Sequence, residues 1–330
     1  MKFEGFIGNK KLKEQLSLLL ETQRFPHAVI IEGDEGLGKK TLAAEIALAL
    51  VCSADRERPC RECSQCRKAL KGIHPDIIEF SPDESKKSRP FSVDVVRDII
   101  KDAAVKPNEA RFKVYILKEC ERMNIQAQNA LLKIIEEPPE HAIFLLCSTS
   151  KSLFLETVLS RSIVLSVEGV DCSQGANYIC ESHPEYEYTD VFQALNLSGG
   201  NIGKALETLG DGNLKKLMDI ANSVALASIS SYEYELIKAC SVLEKDRDVI
   251  IGALTFMKSI LRDALLCDSK CEMLSNQAET VKKLASSLSK AKLLKMIEVC
   301  DNIIFCAKGN GNNALLITKL CFDLRRAQQR

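Results

Sequence analysis

Apolar residues in the first half of the chain form short runs, and the segments between these runs repeat apolar residues at helical spacing. The runs predict strands and the segments predict helices, which include residues 10–23, 93–104 and 124–137. Strands that alternate with helices in this way favour a mostly parallel sheet covered on both faces. The predicted strands are Val29–Ile31, Ile77–Phe80, Lys113–Leu117, Ala142–Cys147 and Ile163–Ser166.

The strand pattern stops at about residue 168, and helical periodicity alone continues from there. Residues 173–209 are predicted to form short helices, interrupted by Gly199-Gly200, after which Asn201 is placed to begin a helix. Residues 213–329 are predicted to be helical throughout. The pattern therefore predicts an α/β region followed by an all-α region, in a chain of 330 residues that is long enough for two or three domains.

Composition places few limits on function. The chain has 45 Lys+Arg and 45 Asp+Glu, so no overall basic charge indicates a nucleic-acid-binding protein, although a local basic surface is compatible with these counts. No apolar run approaches the ~18 residues that a membrane span needs. The first residues do not have the pattern of a secretory signal. We expect a cytoplasmic protein without membrane contact.

A glycine-rich turn follows the first predicted strand and opens a helix, which is the layout of a phosphate-binding loop. Backbone N–H groups of such a loop face an anion, and its lysine reaches the outer phosphates. The pattern G-x-x-x-x-G-K-[ST] is matched by Gly33, Gly38 and Lys39, with Gly36 between the two glycines. The loop is therefore a candidate nucleotide site, and the alternative is a vestigial loop retained as a turn.

Two positions that handle the metal in such loops carry lysine. Lys40 stands where a hydroxyl normally holds Mg²⁺, and Thr41 is one residue further on, about 100° around the helix. After the third predicted strand, Lys118 stands where an acidic residue is expected, and Glu119 follows it. Because an ammonium repels the metal, we expect no ATP hydrolysis, whereas the binding of ATP or ADP stays open.

Four cysteines after the loop are spaced as metal ligands. Cys52, Cys60, Cys63 and Cys66 form the pattern C-x7-C-x2-C-x2-C, and four thiolates complete the tetrahedral shell of Zn²⁺. The polar segment between them cannot form a core alone, so a structural zinc is expected, with an iron–sulfur cluster as the alternative. The other cysteines are interpreted as small buried hydrophobic residues: Cys120, Cys147, Cys172, Cys180, Cys240, Cys267, Cys271, Cys300, Cys306 and Cys321.

Several motifs, taken in their order along the chain, resemble those of the bacterial clamp-loader ATPase family. Besides the loop and the cysteine cluster, they are Arg24-Phe25-Pro26-His27-Ala28, Asn129-Ala130-Leu131-Leu132-Lys133, Glu136-Glu137-Pro138-Pro139 and Leu159-Ser160-Arg161-Ser162. The resemblance is strong over residues 1–210. Within the family, the chain is similar to the delta-prime branch. The working ATPases carry G-K-[ST], an acidic pair and a lid arginine, where this chain has Lys40, Lys118 and Gly203.

The resemblance implies an α/β fold of the AAA+ kind. It implies a parallel-sheet P-loop core over residues 1–168 with a zinc-binding insertion at 52–66, a small helical lid over 169–210, and an all-α collar domain over 211–330. It also implies that Arg161 is an arginine finger, whose guanidinium stabilises the γ-phosphate bound to a neighbouring subunit. Ser162 stands where a cysteine usually follows this arginine, a change that leaves the guanidinium intact.

We therefore expect a non-hydrolysing subunit of a replicative clamp loader, which completes a neighbouring ATP site and helps to load the sliding clamp on primed DNA. The implied partners are gamma/tau-like ATPase subunits and the delta subunit, with the clamp and DNA met through the assembled complex. One alternative is an active ATPase that uses Thr41 and Glu119. The other is a zinc-stapled DNA-binding protein with a vestigial loop, which the neutral charge does not favour.

Overall fold

The computed structural model of the chain describes residues 3–21, 25–55, 57–82, 91, 93–210, 212–267, 273–275, 277–309 and 311–329. Arg24, Cys271 and residues 83–90 lie outside these residues. The chain forms two compact units, one of Met1–Gly175 with Asn201–Gly203 and one of Ala176–Gly200 with Lys204–Arg330. The division into core, lid and collar stays a prediction.

The first unit has strands that alternate with helices, which confirms the predicted α/β class. Its strands are β1 (Ala28–Glu32), β2 (Ile77–Phe80), β3 (Lys113–Leu117), β4 (Ala142–Ser148) and β5 (Ile163–Ser166). The helices up to β5 are α1 (Lys10–Glu21), α2 (Lys39–Val51), α3 (Ser64–Leu70), α4 (Val93–Ala103), α5 (Ile125–Glu136) and α6 (Glu156–Leu159).

The five strands form one parallel sheet in the order β2-β3-β4-β1-β5. Strand β1 is buried on both faces, because successive side chains point to opposite sides and helices cover both. Val29 and Ile31 pack in one apolar layer with Leu42 of α2, whereas Ile30 packs in the other layer with Leu131 of α5. The chain order reverses beside β1, so the C-terminal ends of β1 and β4 form a crevice in which ligands of such sheets bind.

The helices that follow β5 confirm the predicted helical C-terminal region. No helix in the described part of the chain is both long and apolar enough to cross a membrane. In the second unit, α12 lies in one apolar core with α10, α14 and α15. The helices are α7 (Cys172–Ser182), α8 (Tyr188–Leu197), α9 (Ile202–Gly210), α10 (Asn213–Ile229), α11 (Glu233–Ser241), α12 (Arg247–Leu265), α13 (Ala278–Ser287), α14 (Lys290–Lys308) and α15 (Asn313–Gln329).

The cysteines outside the predicted metal cluster differ in burial. Cys267 is exposed, so its interpretation as a buried hydrophobic residue is wrong. Four others are partly exposed: Cys172, Cys180, Cys306 and Cys321. Those that are buried, as predicted, are Cys120, Cys147, Cys240 and Cys300.

Asp76 fixes the start of β2 against the segment that leads into β3. Its buried carboxylate accepts hydrogen bonds from the backbone N–H groups of Asn108 at 2.6 Å, Glu109 at 2.7 Å and Ala110 at 2.8 Å. Burial raises the pKa of Asp76, but these N–H donors outweigh it and hold the pKa below its usual value. The ionised carboxylate therefore stabilises the edge of the sheet next to β3.

We expect Asp76→Asn to lower the free energy of unfolding by roughly 2 kcal/mol, because an amide N–H then faces backbone N–H donors. A depressed pKa gives stability that is present above the unfolded-state value of about 3.9 and is lost as the pH falls through the folded-state value. The difference between the two proteins, measured by urea unfolding, should therefore shrink below about pH 4. Asp98→Asn, at an exposed site on α4, is the control. Equal losses in both variants would contradict this account.

Candidate functional site

The glycine-rich loop joins the C-terminal end of β1 to the start of α2. Gly36 and Gly38 have φ angles of 87° and 85°, in the left-handed region that glycine adopts without strain. Gly38 directly precedes α2, so the loop turns straight into a helix N-terminus. The first N–H groups of a helix have no partner inside the helix and attract anions. The loop therefore has the backbone form of a phosphate-binding turn.

Lys39 is held at the loop by the loop's own carbonyl groups. Its Nζ atom donates to the carbonyl oxygen of Gly33 at 2.6 Å and to that of Asp34 at 2.8 Å. Burial lowers the pKa of Lys39, and the nearby Glu121 partly offsets this effect. The fold thus brings the predicted glycines and Lys39 together in one turn.

The lysines at the two metal-handling positions are both ion-paired. Lys40 Nζ lies 3.0 Å from Oε1 of Glu119, and Arg122 Nη1 lies 3.3 Å from the other oxygen of that carboxylate. Lys118 pairs in the same way with Glu79 of β2. The hydrogen bond from Lys40 lowers the pKa of Glu119 by more than burial raises it. The carboxylate of Glu119 is therefore neutralised by two cations of this chain.

Thr41 does not take part in this network. It is exposed in the first turn of α2, whereas Glu119 is bound by Lys40 and Arg122. The structure therefore does not join Thr41 and Glu119 into the pair that an active ATPase would use.

A segment far along the chain is bound to the loop. We call residues Asn201–Gly203 the strap. Asn201 Nδ2 donates to the carbonyl oxygen of Glu35 at 2.7 Å, and the N–H of Gly203 donates to that of Gly36 at 3.1 Å. A Cβ atom at position 203 would lie only 2.5 Å from Cα of Gly36. Only glycine allows this approach. At position 203, where the resemblance implied a lid arginine in working ATPases, the backbone therefore packs directly against the backbone of Gly36.

The sequence had indicated only that Asn201 begins a helix and that Gly203 replaces an arginine. Asn201 and Glu35 are 166 residues apart, and the amide–carbonyl bond between them has no local signature. The Gly199-Gly200 break before the strap was the available signal that the chain changes direction there.

Arg161 lies on the surface of the first unit, just after α6. Its side chain is 42% exposed, and Nη2 lies 3.1 Å from Oε1 of Glu136 at the end of α5. Nη1 donates to the carbonyl oxygen of Thr157 and to Oγ of Ser160, both at 3.2 Å. These partners lie outside the glycine-rich loop, and they hold the guanidinium group of a side chain that is still partly exposed.

The four predicted metal ligands meet in one cluster. Cys52 ends α2, Cys60 lies in the following loop, and Cys63 caps α3, the short helix that contains Cys66. The pattern of the sequence did not predict α3. Backbone N–H groups of Cys60, Cys63 and Cys66 donate to the sulfur atoms of Cys52, Cys60 and Cys63 at 3.3–3.4 Å. Such hydrogen bonds stabilise thiolate, which is the form that binds a metal.

The geometry of this cluster fits a single tetrahedral ion. All four sulfur atoms lie within 4.8 Å of one another, and those of Cys60 and Cys66 are 3.9 Å apart. Zinc–sulfur bonds of about 2.3 Å in a tetrahedron place the sulfur atoms about 3.8 Å apart. The four cysteines could therefore hold one metal ion after a small adjustment.

Comparison with known proteins adds a family to this geometry. The family described as "DNA polymerase III, delta subunit" matches residues 8–171, which include the loop, the cysteine cluster and Arg161. The chain is 28% identical to the Haemophilus influenzae DNA polymerase III subunit delta' over 279 residues, covering 84% of this chain and 83% of that protein. The chain belongs to the clamp-loader AAA+ family.

Other members of this family match over different lengths. The Pseudomonas aeruginosa DNA polymerase III subunit delta' is 28% identical over 280 residues, covering 82% of each protein. The Bacillus subtilis subunit tau is 35% identical over 161 residues, which are 48% of this chain but only 28% of tau. Among solved structures, the Thermotoga maritima RuvB branch migration motor aligns with a TM-score of 0.44 and 20% identity, covering 86% of this chain and 85% of RuvB.

We expect Cys66→Ser to remove the metal from the cluster, because the serine hydroxyl is a poor replacement for a buried thiolate ligand. Zinc measured by mass spectrometry should fall from about one equivalent to near zero, and the midpoint of thermal unfolding should drop. Cys172→Ser, which changes a partly exposed cysteine outside the cluster, should retain the metal. Equal zinc content in both variants and the parent protein would contradict the assignment.

We expect Gly203→Ala to push the strap away from the loop, because its Cβ meets the backbone of Gly36. Losing a hydrogen bond of about 1 kcal/mol should speed amide hydrogen exchange at residues 35–38 by about fivefold. Gly210→Ala on the same helix, α9, is the matched control, since its Cβ would lie 4.0 Å from its nearest neighbour. If exchange in the loop is unchanged by Gly203→Ala, the strap does not hold the loop.

Proposed function

We propose that this chain is a non-hydrolysing, delta-prime-like subunit of the clamp loader of DNA polymerase III. It supplies Arg161 to the ATP site of a neighbouring ATPase subunit. Through the assembled complex it helps to load the sliding clamp on primed DNA. Its own loop acts as a fixed part of the fold and does not turn over ATP.

The ion pair of Lys40 with Glu119 carries this proposal. In a working site of this type, a hydroxyl after the loop lysine holds Mg²⁺, and acidic residues that follow the strand equivalent to β3 bind the metal or activate water. Here an ammonium takes the place of the hydroxyl and lies 3.0 Å from the carboxylate of Glu119. A metal ion would have to enter beside this positive charge and compete with Lys40 for Glu119. Lys118 adds a second cation where a metal-binding acid is expected.

The surroundings of Arg161 support its role in a neighbouring site. An arginine finger must be exposed on its own subunit, because it acts on a phosphate that another chain binds. Arg161 is 42% exposed and is held by Glu136, Thr157 and Ser160. Its planar guanidinium can then donate several hydrogen bonds to a phosphoryl group at once.

The helical part of the chain supports assembly with other subunits. Large apolar side chains are exposed in this part of the chain and are available for contact with other subunits. We assign residues 211–330 to the collar that joins gamma/tau-like ATPase subunits and the delta subunit, and 169–210 to the lid. The four cysteines hold a structural Zn²⁺ that fixes the insertion at 52–66. The exposed side chains include Tyr232, Tyr234, Ile237, Phe305, Leu315 and Phe322.

An active clamp-loader ATPase is the second candidate, because two observations favour it. The loop retains Gly33, Gly38 and Lys39 in the form of a phosphate-binding turn, and tau of Bacillus subtilis is 35% identical over 161 residues. In that case Thr41 and Glu119 would handle the metal after Lys40 moves away.

We expect Arg161→Ala to reduce ATP turnover by the complex of this chain with its partner ATPase subunits. The site that Arg161 completes should lose about 10³-fold in kcat, the lower end of the range for arginine fingers. Arg161→Lys should also fail, since an ammonium cannot reproduce the planar set of donors. Arg97→Ala, at an exposed arginine on α4, should leave turnover unchanged and serves as the matched control.

Size-exclusion chromatography of each variant complex separates a lost finger from a lost subunit. If Arg161→Ala assembles normally and turnover is unaffected, Arg161 is not the finger and the proposed function fails.

A further inference from the structure

The guanidinium of Arg161 has partners from two different helical segments. Nη1 donates to two neutral oxygens at the end of α6, the carbonyl oxygen of Thr157 and Oγ of Ser160, both at 3.2 Å. Nη2 is bound by the carboxylate of Glu136 at 3.1 Å. Glu136 is therefore the charged group among the partners that the structure gives to this arginine.

The backbone on each side of this contact is fixed. After α6, the N–H of Arg161 donates to the carbonyl oxygen of Val158 at 3.2 Å, and Ser162 Oγ donates to the same oxygen at 2.9 Å. Val158 is fully buried. Glu136 is the last residue of α5, and Pro138-Pro139 ends the helix just beyond it. Because the backbone is fixed, the position of the guanidinium depends mainly on the side-chain rotamer of Arg161.

Electrostatics favour the observed rotamer. The C-terminal end of α5 carries a partial negative charge, and Glu136 adds a full one there. Without this carboxylate, the neutral oxygens of Thr157 and Ser160 would hold Nη1, and Nη2 would lose its partner. A long, exposed arginine would then spend more time in other rotamers.

We propose that Glu136 is a positioning residue for Arg161. It holds the guanidinium in one orientation before the neighbouring ATP site closes on it, so that less rotamer freedom is lost when the finger engages. This inference rests on the proposed function, since it assigns the residue that orients the proposed finger. Glu136 itself touches neither nucleotide nor metal in this account.

The size of the effect follows from the exposure of the pair. The two side chains are 42% and 48% exposed, and exposed ion pairs contribute up to about 1 kcal/mol. At 1.36 kcal/mol for each factor of ten, this corresponds to about fivefold in the ratio of the held rotamer to the other rotamers. We define the Arg161-dependent turnover as the difference between the parent complex and the Arg161→Ala complex. Glu136→Gln should reduce it by up to about fivefold, since the held fraction falls by at most the change in this ratio.

The test uses the full chain assembled with its ATPase and delta subunits. Glu137→Gln is the matched control. Glu137 is the next residue along the chain and is also exposed, so this change removes the same charge from a neighbouring position. Glu136→Gln should lower kcat without changing KM for ATP, since the finger acts on the transition state. Glu137→Gln should change neither. Glu136→Asp retains the charge on a shorter side chain and should fall between the parent and Glu136→Gln.

A double-mutant cycle separates positioning from a general structural role. In the Arg161→Ala background, Glu136→Gln should have no further effect, because there is no guanidinium left to orient. A loss of similar size in that background would show that Glu136 acts on the fold, and would overturn the inference. Unchanged or increased turnover with Glu136→Gln alone would also overturn it.

The outcomes for the two proposals are distinguishable. If Arg161→Ala reduces turnover and Glu136→Gln matches Glu137→Gln, the finger stands and the positioning role falls. If Arg161→Ala has no effect on an intact complex, the finger and the positioning role fall together.

Discussion

The pairing of β1 with β4 on one side and β5 on the other is the constraint on which the candidate site depends. It places the end of β1 at the point where the strand order reverses, and the glycine-rich loop leaves the sheet there. Both neighbours are parallel and in continuous register with β1, from Ala28–Phe144 and Val29–Ile163 onwards. The same sheet brings the end of β3, with Lys118 and Glu119, to the same edge as the loop.

At this edge, contacts within the chain bind all three lysines. Lys40 binds Glu119, Lys118 binds Glu79, and Lys39 is bound by carbonyl groups of the loop. The strap adds two hydrogen bonds to the next two carbonyl groups. Each contact is individually modest, since exposed ion pairs contribute about 1 kcal/mol or less. Together, the contacts of Lys39, Lys40 and the strap join the loop and the start of α2 to the segment after β3 and to the start of α9.

The sequence predicted the features that local pattern controls. All the predicted strands appear within two residues of their bounds, because buried parallel strands read as short apolar runs. The spacing of the cysteines indicated their cluster, and Lys40 and Lys118 were recognised from their places in motifs. Short helix α3 was missed, since its seven residues lie in a polar segment organised by cysteines, without apolar periodicity.

What the sequence could not predict are partners distant along the chain. Lys40 and Glu119 are 79 residues apart, and Asn201 and Glu35 are 166 apart. Glu136 was part of a family motif, but its contact with Arg161 depends on how α5 packs against α6. These pairings follow from the tertiary fold, because neither partner changes the local pattern around the other.

The central claim is that this chain cannot use its own loop for hydrolysis, and the most direct test is Mg²⁺-ATP turnover by the purified chain alone. The account predicts no turnover above that of a Lys39→Ala variant. Magnesium-dependent turnover by the isolated chain, abolished by Lys39→Ala, would contradict it and identify the chain as an ATPase in its own right.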